Sequence, residues 1–95
     1  MKIYDIKESG KRIKELRKAE GLSQEDLADK MGVERSFISL LETGQRGCSI
    51  DVAIRLSEIL NSSLDYIVLG ISQTELAKKE LDNTIQRLSE LRDAM

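Results

Sequence analysis

The stretch SQEDLADKMGVERSFISLLETG, Ser23–Gly44, decides the fold. It reads as two short helices joined by a tight turn. Ser23 is a candidate N-cap, its hydroxyl placed to accept from the backbone N–H of Asp26. Leu27, Ala28 and Met31 then fall on one helical face. Gly32 stands just past the last apolar position, where a left-handed residue ends a helix without a Cβ penalty. Val33 is an apolar plug. A second helix follows from about Glu34 to Thr43, and Gly44 closes it in the same way.

Helical geometry sorts the second helix. At about 100° per residue, Phe37, Ile38 and Leu41 share one face. Arg35, Ser36, Ser39, Leu40 and Thr43 lie on the other, with Glu34 at the N-terminal tip. A helix held by its apolar side thus offers a donor-rich side outward. A helix of that width fits the major groove of DNA, whose base edges carry a distinct donor and acceptor code. Two short helices at a steep angle, the second one presented, form a helix-turn-helix arrangement.

Working outward, the sequences Leu22-Ser23-Gln24-Glu25-Asp26-Leu27-Ala28, Met31-Gly32-Val33, Ser36-Phe37-Ile38-Ser39 and Leu41-Glu42-Thr43-Gly44 stand in one order and spacing. Together they resemble the Cro and phage-repressor helix-turn-helix family, also called XRE-like, from about Gly10 to Leu69. The resemblance implies an all-α, five-helix repressor-like domain. It implies an ion pair, Arg17–Glu42, bracing the first and third helices. It implies a phosphate contact by the side chain or backbone N–H of Gln24, and another by Arg46 in the loop Gln45-Arg46-Gly47-Cys48. Leu40 departs from the pattern, because the family often has a long polar residue there. Cys48 stands where a Pro is common, and reads as a small, half-buried filler.

Arg35 is the foremost candidate reader, because a guanidinium fork gives two bonds to guanine O6 and N7. Ser36 is short enough to donate to a base or a phosphate. Ser39, Thr43 and Gln45 are candidates for the DNA backbone, Leu40 for a thymine methyl, and Glu34 for cytosine N4. The bland alternative for the face is a helix side that meets only solvent.

Ninety-five residues support one small domain, and the 40 % apolar fraction is mostly aliphatic, with only 3 % aromatic and no Pro. That composition favours a small all-α core. No run approaches the roughly 20 apolar residues of a membrane span. The N-terminus MKIYDIKESGKR carries no apolar signal segment, and a single Cys forms no intrachain disulfide, so the expected compartment is the cytoplasm. An enzyme is not expected. There is no His, the commonest general base, one Cys builds no zinc site, and no Gly-rich phosphate loop occurs. No metal or cofactor is expected.

A net charge of −2 argues weakly against nucleic acid. The charge is unevenly spread, however. Residues 1–47 hold ten basic and nine acidic side chains, whereas residues 48–95 hold five and eight. The acidic excess lies away from the helix-turn-helix, which points to modest non-specific affinity.

Upstream, Asp5 with Glu8 reads as a capping box for a first helix, with Ser9 as a rival cap. Ile6, Ile13 and Leu16 form its apolar stripe, and Gly21 ends it. Lys7, Lys11, Arg12, Lys14 and Lys18 line its other sides, as a solvated face or, for one or two, near phosphate. Downstream, Ser49 caps a fourth helix to about Leu60, with Ile50, Ala53, Leu56 and Leu60 inward and Asn61 at its end. Ser63 caps a fifth, Leu64–Leu69, with Leu64 and Ile67 inward. The domain, residues 1–70, stops at Gly70.

Residues 71–95 have their own start signal, Ser72 with Glu75 as an S-x-x-E capping box. From Gln73 to Asp93 nothing breaks a helix, which would run roughly 31 Å. Ala77, Leu81, Ile85, Leu88 and Met95 make one stripe, with Leu91 at its edge and Arg92 as a polar exception. An isolated amphipathic helix is marginal in water, so the stripe needs a partner: the chain's own domain, a second copy, or another protein. A second copy is the expected one.

The sequence thus reads as a DNA-binding transcriptional regulator, a repressor expected to bind an inverted-repeat operator in double-stranded DNA as a homodimer. The alternative is an antitoxin-like or other protein-binding module whose C-terminal helix engages a partner.

Overall fold

The computed structural model describes residues 3–71. Five helices follow one another: α1 (Ile6–Ala19), α2 (Gln24–Met31), α3 (Arg35–Glu42), α4 (Ile50–Ile59) and α5 (Leu64–Leu69), with no strand among the described residues. The C-terminal amphipathic helix expected over Gln73–Asp93, with Ala77, Leu81, Ile85, Leu88, Leu91 and Met95, lies outside the described residues.

Short polar side chains start four of the helices. Asp5 accepts from the backbone N–H groups of Lys7 and Glu8 at 3.0 and 3.2 Å. Ser23 Oγ accepts from Asp26 N, while Asp26 Oδ2 accepts from Ser23 N, both at 3.0 Å. This reciprocal pair satisfies two end N–H groups at once. The Ser23 backbone N–H, and then its hydroxyl, hold the Asp26 carboxyl below the usual carboxylate range. Ser49 and Ser63 cap α4 and α5 through Val52 N and Tyr66 N. Gly32 ends α2 at φ +69°, a left-handed conformation that only glycine enters freely.

α3 packs against both α1 and α2, and α5 closes the bundle against α1 and α4. The core is Ile13, Leu27, Ala28, Met31, Ile38, Leu41, Leu56, Leu60 and Ile67, all aliphatic or Met. Gly10 makes the α1–α3 approach possible. A Cβ there would press on the backbone carbonyl oxygens of Leu41 and Glu42.

The structure corrects several expectations. Ile50 is not inward: it is 76 % exposed, as the first residue of α4 and well round from the Ala53–Leu56–Leu60 face. Leu64, in the same position on α5, is 40 % exposed, whereas Ile67 is fully buried. Ile6, at the outer end of α1, is also exposed. Ser9 is no cap; it is buried within α1 and donates to Ile67 O at 2.6 Å. Arg12 is not a solvated lysine-like charge either. Its guanidinium donates to Ile67 O and Val68 O at 3.2 Å, covering free carbonyls at the end of α5.

Candidate nucleic-acid interface

The outward side of α3 is built on the Arg17–Glu42 pair behind it. Arg17 Nε and Nη2 donate to Glu42 Oε2 and Oε1 at 2.7 and 3.1 Å, a two-point contact of planar groups. Both side chains are nearly sealed, at 9 % and 2 % exposure. Two further bonds complete the site: Arg17 Nη1 donates to Leu22 O at 2.8 Å, and Gln24 Nε2 donates to Glu42 Oε1 at 3.2 Å. One buried carboxylate therefore receives α1 through Arg17 and α2 through Gln24 while belonging to α3. This fixes the angle at which α3 is presented.

The backbone before α3 is extended at Glu34, which caps no N–H with its side chain. The helix start thus has no side-chain cap, although Phe37 N donates to Glu34 O at 3.0 Å. Arg35 and Ser36 are exposed, and Ser39 and Leu40 are half-buried; these four line one shallow depression. Arg35 also lines a neighbouring depression with Ser23, Gln24, Glu25 and Arg17. Ser36 and Leu40 line a third with Glu34, Phe37 and Arg46. The three share residues and so form one continuous surface. It brings together Gln24, Glu34, Arg35, Ser36, Ser39, Leu40 and Arg46, with Arg35 near one side and Arg46 near the other.

Thr43 and Gln45 sit differently. Thr43 Oγ1 donates to Ser39 O at 2.8 Å, and Gln45 Nε2 donates to Thr43 Oγ1 at 3.1 Å. They form a small chain at the far end of α3 and line none of the three depressions. One N–H of the Gln24 side-chain amide is held by Glu42.

Periodicity missed one contact. The Arg46 guanidinium lies over the Phe37 ring, 4.8 Å from its centroid. Phe37 is half-buried against the core, so the loop cation rests on a fixed aromatic plate. The two residues meet only because the chain turns after α3, which no helical spacing reveals. Below that turn, Tyr4 Oη accepts from Cys48 N at 2.7 Å. Burial raises both the Tyr4 and Cys48 pKa values above their ordinary values.

Among the described residues, no three His, Cys, Asp or Glu side chains gather in a way that would hold a metal ion. No described helix is long and apolar enough to cross a membrane. What the surface offers is a guanidinium, hydroxyls and an apolar side chain on a helix, with a second guanidinium beside it. That is chemistry for base edges and phosphates.

Comparison with known proteins agrees with this geometry. A helix-turn-helix family model matches residues 13–67. The HTH-type transcriptional regulator ImmR of Bacillus subtilis (strain 168) is 31 % identical over 86 residues, covering 85 % of this chain and 68 % of its own length. The restriction-modification controller protein C.AhdI from Aeromonas hydrophila superposes with a TM-score of 0.62 at 38 % identity, over 66 % of this chain and 96 % of that one. The P22 c2 repressor, solved in complex with a synthetic operator, gives a TM-score of 0.63 at 30 % identity, over 66 % and 96 %. The chain spans from 19 % to 68 % of the length of the first two curated regulators it matches.

Proposed function

The chain belongs to the helix-turn-helix family of DNA-binding transcriptional regulators, and on that premise we propose that it is a repressor that binds an inverted-repeat operator as a homodimer. The observation that carries this reading is the continuous surface from Gln24 through Arg35, Ser36, Ser39 and Leu40 to Arg46. In this account Arg35 reads guanine through two parallel bonds, Ser36 donates beside it, and Leu40 packs on a thymine methyl. Glu34 accepts from cytosine N4, and Arg46 on Phe37 meets a phosphate. The backbone N–H groups at the start of α2, near Gln24, meet another phosphate; the Gln24 side chain serves through Glu42. Ser39, Thr43 and Gln45 approach the strand at the far end of α3.

One such helix spans only a few base pairs, so a two-fold dimer on two half-sites about one helical turn apart gives a site of useful length. That the P22 c2 repressor was solved on an operator supports the repressor assignment. We assign residues 1–70 to DNA binding and residues 71–95 to oligomerisation or partner binding. The site of action is where the DNA is, in the cytoplasm.

The test is a binding selection from sheared genomic DNA at near-physiological salt, with the bound fragments sequenced. The expected result is a two-fold symmetric site with half-sites about one helical turn apart. Recovery at background level only, or of a site with no symmetry, contradicts the proposal.

A further inference from the structure

An apolar groove of about 320 Å³ opens between the start of α4 and the length of α5, on residues that α3 and its neighbours do not use. Its walls are Cys48, Ile50, Ala53, Leu64, Val68 and Leu69, with Asp65 as a charged member of the lining. Ile50 and Leu64 leave large apolar side chains in water here, and Ile54 is 41 % exposed on the same helix. A groove walled by such side chains is a surface on which an apolar segment can dock.

We propose that the groove is the docking site for this chain's own residues 72–86, with Ala77, Leu81 and Ile85 seated along it. Where the chain leaves α5 favours this occupant. Gly70, at φ +74°, donates its N–H to Tyr66 O at 2.9 Å, and Ile71 donates to Asp65 O at 3.4 Å. These bonds fold the backbone over the last turn of α5. The described chain ends at Ile71, just after Val68 and Leu69, which are groove walls. The lengths are comparable. Ala77 to Ile85 spans about 12 Å as a helix, and the six residues of α5 along the groove span about 9 Å. The link from Ile71 to the helix expected from Gln73 is short, so the stripe meets its own groove at an effective concentration on the order of millimolar. Lys78 flanks the stripe and Asp65 lines the groove, so the charges are complementary. The assignment divides the C-terminal segment: its near part covers the domain, and Leu88, Leu91 and Met95 stay available to a second copy. It does not depend on DNA binding.

Cys48, the chain's one cysteine, lines the groove and serves as a built-in reporter. The test uses the full chain carrying Leu81→Cys, oxidised mildly over a wide range of protein concentration. The expected product is a disulfide between Cys48 and the introduced thiol, at monomer mass, in a yield independent of concentration. A Gln86→Cys control places the thiol on the opposite helical face and should give little of it. A dimer-mass product would move the groove's occupant to a second copy and overturn the proposal. So would equal cross-linking of both variants, or no cross-link while both thiols still react with a maleimide. Alkylation supplies a second reading in the otherwise unchanged chain. Leu81→Asp should speed Cys48 modification several-fold at every concentration, and an unchanged rate contradicts docking.

Discussion

In the proposed reading, two arginines divide the work at the interface. Arg35 stands on α3 itself, exposed beside Ser36, and a guanidinium there can match one base. Arg35→Ala should therefore weaken binding to the cognate site by about 1–3 kcal/mol and relax preference at one base position. Fluorescence anisotropy on cognate and single-substituted duplexes measures both. Arg46 stands on Phe37, and in the proposed reading it meets the strand and not the base edges. Arg46→Ala should weaken binding to all sequences alike and lower the slope of log K against log salt by about 1. A salt titration that leaves the slope unchanged would remove Arg46 from the phosphate contacts. Arg17 is a third case, since its charge is spent inside the protein on Glu42 and Leu22 O. The family resemblance already separates these three arginines, but the contacts that hold them are less legible. Arg35 is legible from its helical face, but the Arg46–Phe37 contact depends on how the loop turns. Arg12, which holds α5, looks like any other base on α1.

At the scale of the helices, the orientation of α3 is set from behind. The buried Arg17–Glu42 pair contributes little net stability when intact, because both charges gave up water. Removing one partner is different, since the other stays buried without compensation. Arg17→Met should lower unfolding stability by about 3–5 kcal/mol, and adding Glu42→Leu should recover a large part of it. Urea unfolding of the two variants decides this; a double variant worse than the single one would contradict it. Gly10 works on the same contact from α1. A methyl there meets the carbonyl oxygen of Glu42 at 2.8 Å and that of Leu41 closer still, with backbone that cannot turn aside. Gly10→Ala should destabilise by about 1–3 kcal/mol despite alanine's better helix propensity. A more stable Gly10→Ala protein would show that α1 and α3 are not pressed together. The sequence marks the helices well, because Ser23, Ser49 and Ser63 are capping residues and Gly32 and Asn61 adopt the left-handed stops. It marks the inward faces less well at helix starts. Ile50 and Leu64 are apolar residues near the buried stripes, yet they are the first residues of their helices and stay exposed. Nor does any local pattern announce Gly10, whose reason lies on α3.

At the scale of the molecule, a mildly acidic chain presents Arg35, Ser36 and Ser39 along the outward side of α3 and keeps its apolar groove elsewhere. The order of motifs from Leu22 to Gly44 was enough to identify the fold, because caps, stops and faces in that stretch agree with one another. The bond from Ser9 to Ile67, 58 residues apart, shows what no local reading reaches: α1 and α5 close the domain on each other. The central claim is that the outward side of α3 is the surface that meets DNA. The most direct measurement is a map of backbone amide shifts by NMR as a selected duplex is titrated into the labelled protein. The account predicts the largest changes at Arg35, Ser36, Ser39, Leu40 and Arg46, with Gln24 at the start of α2 also shifting. Changes centred on α4 and α5 instead, with Arg35 and Ser36 unmoved, would contradict it.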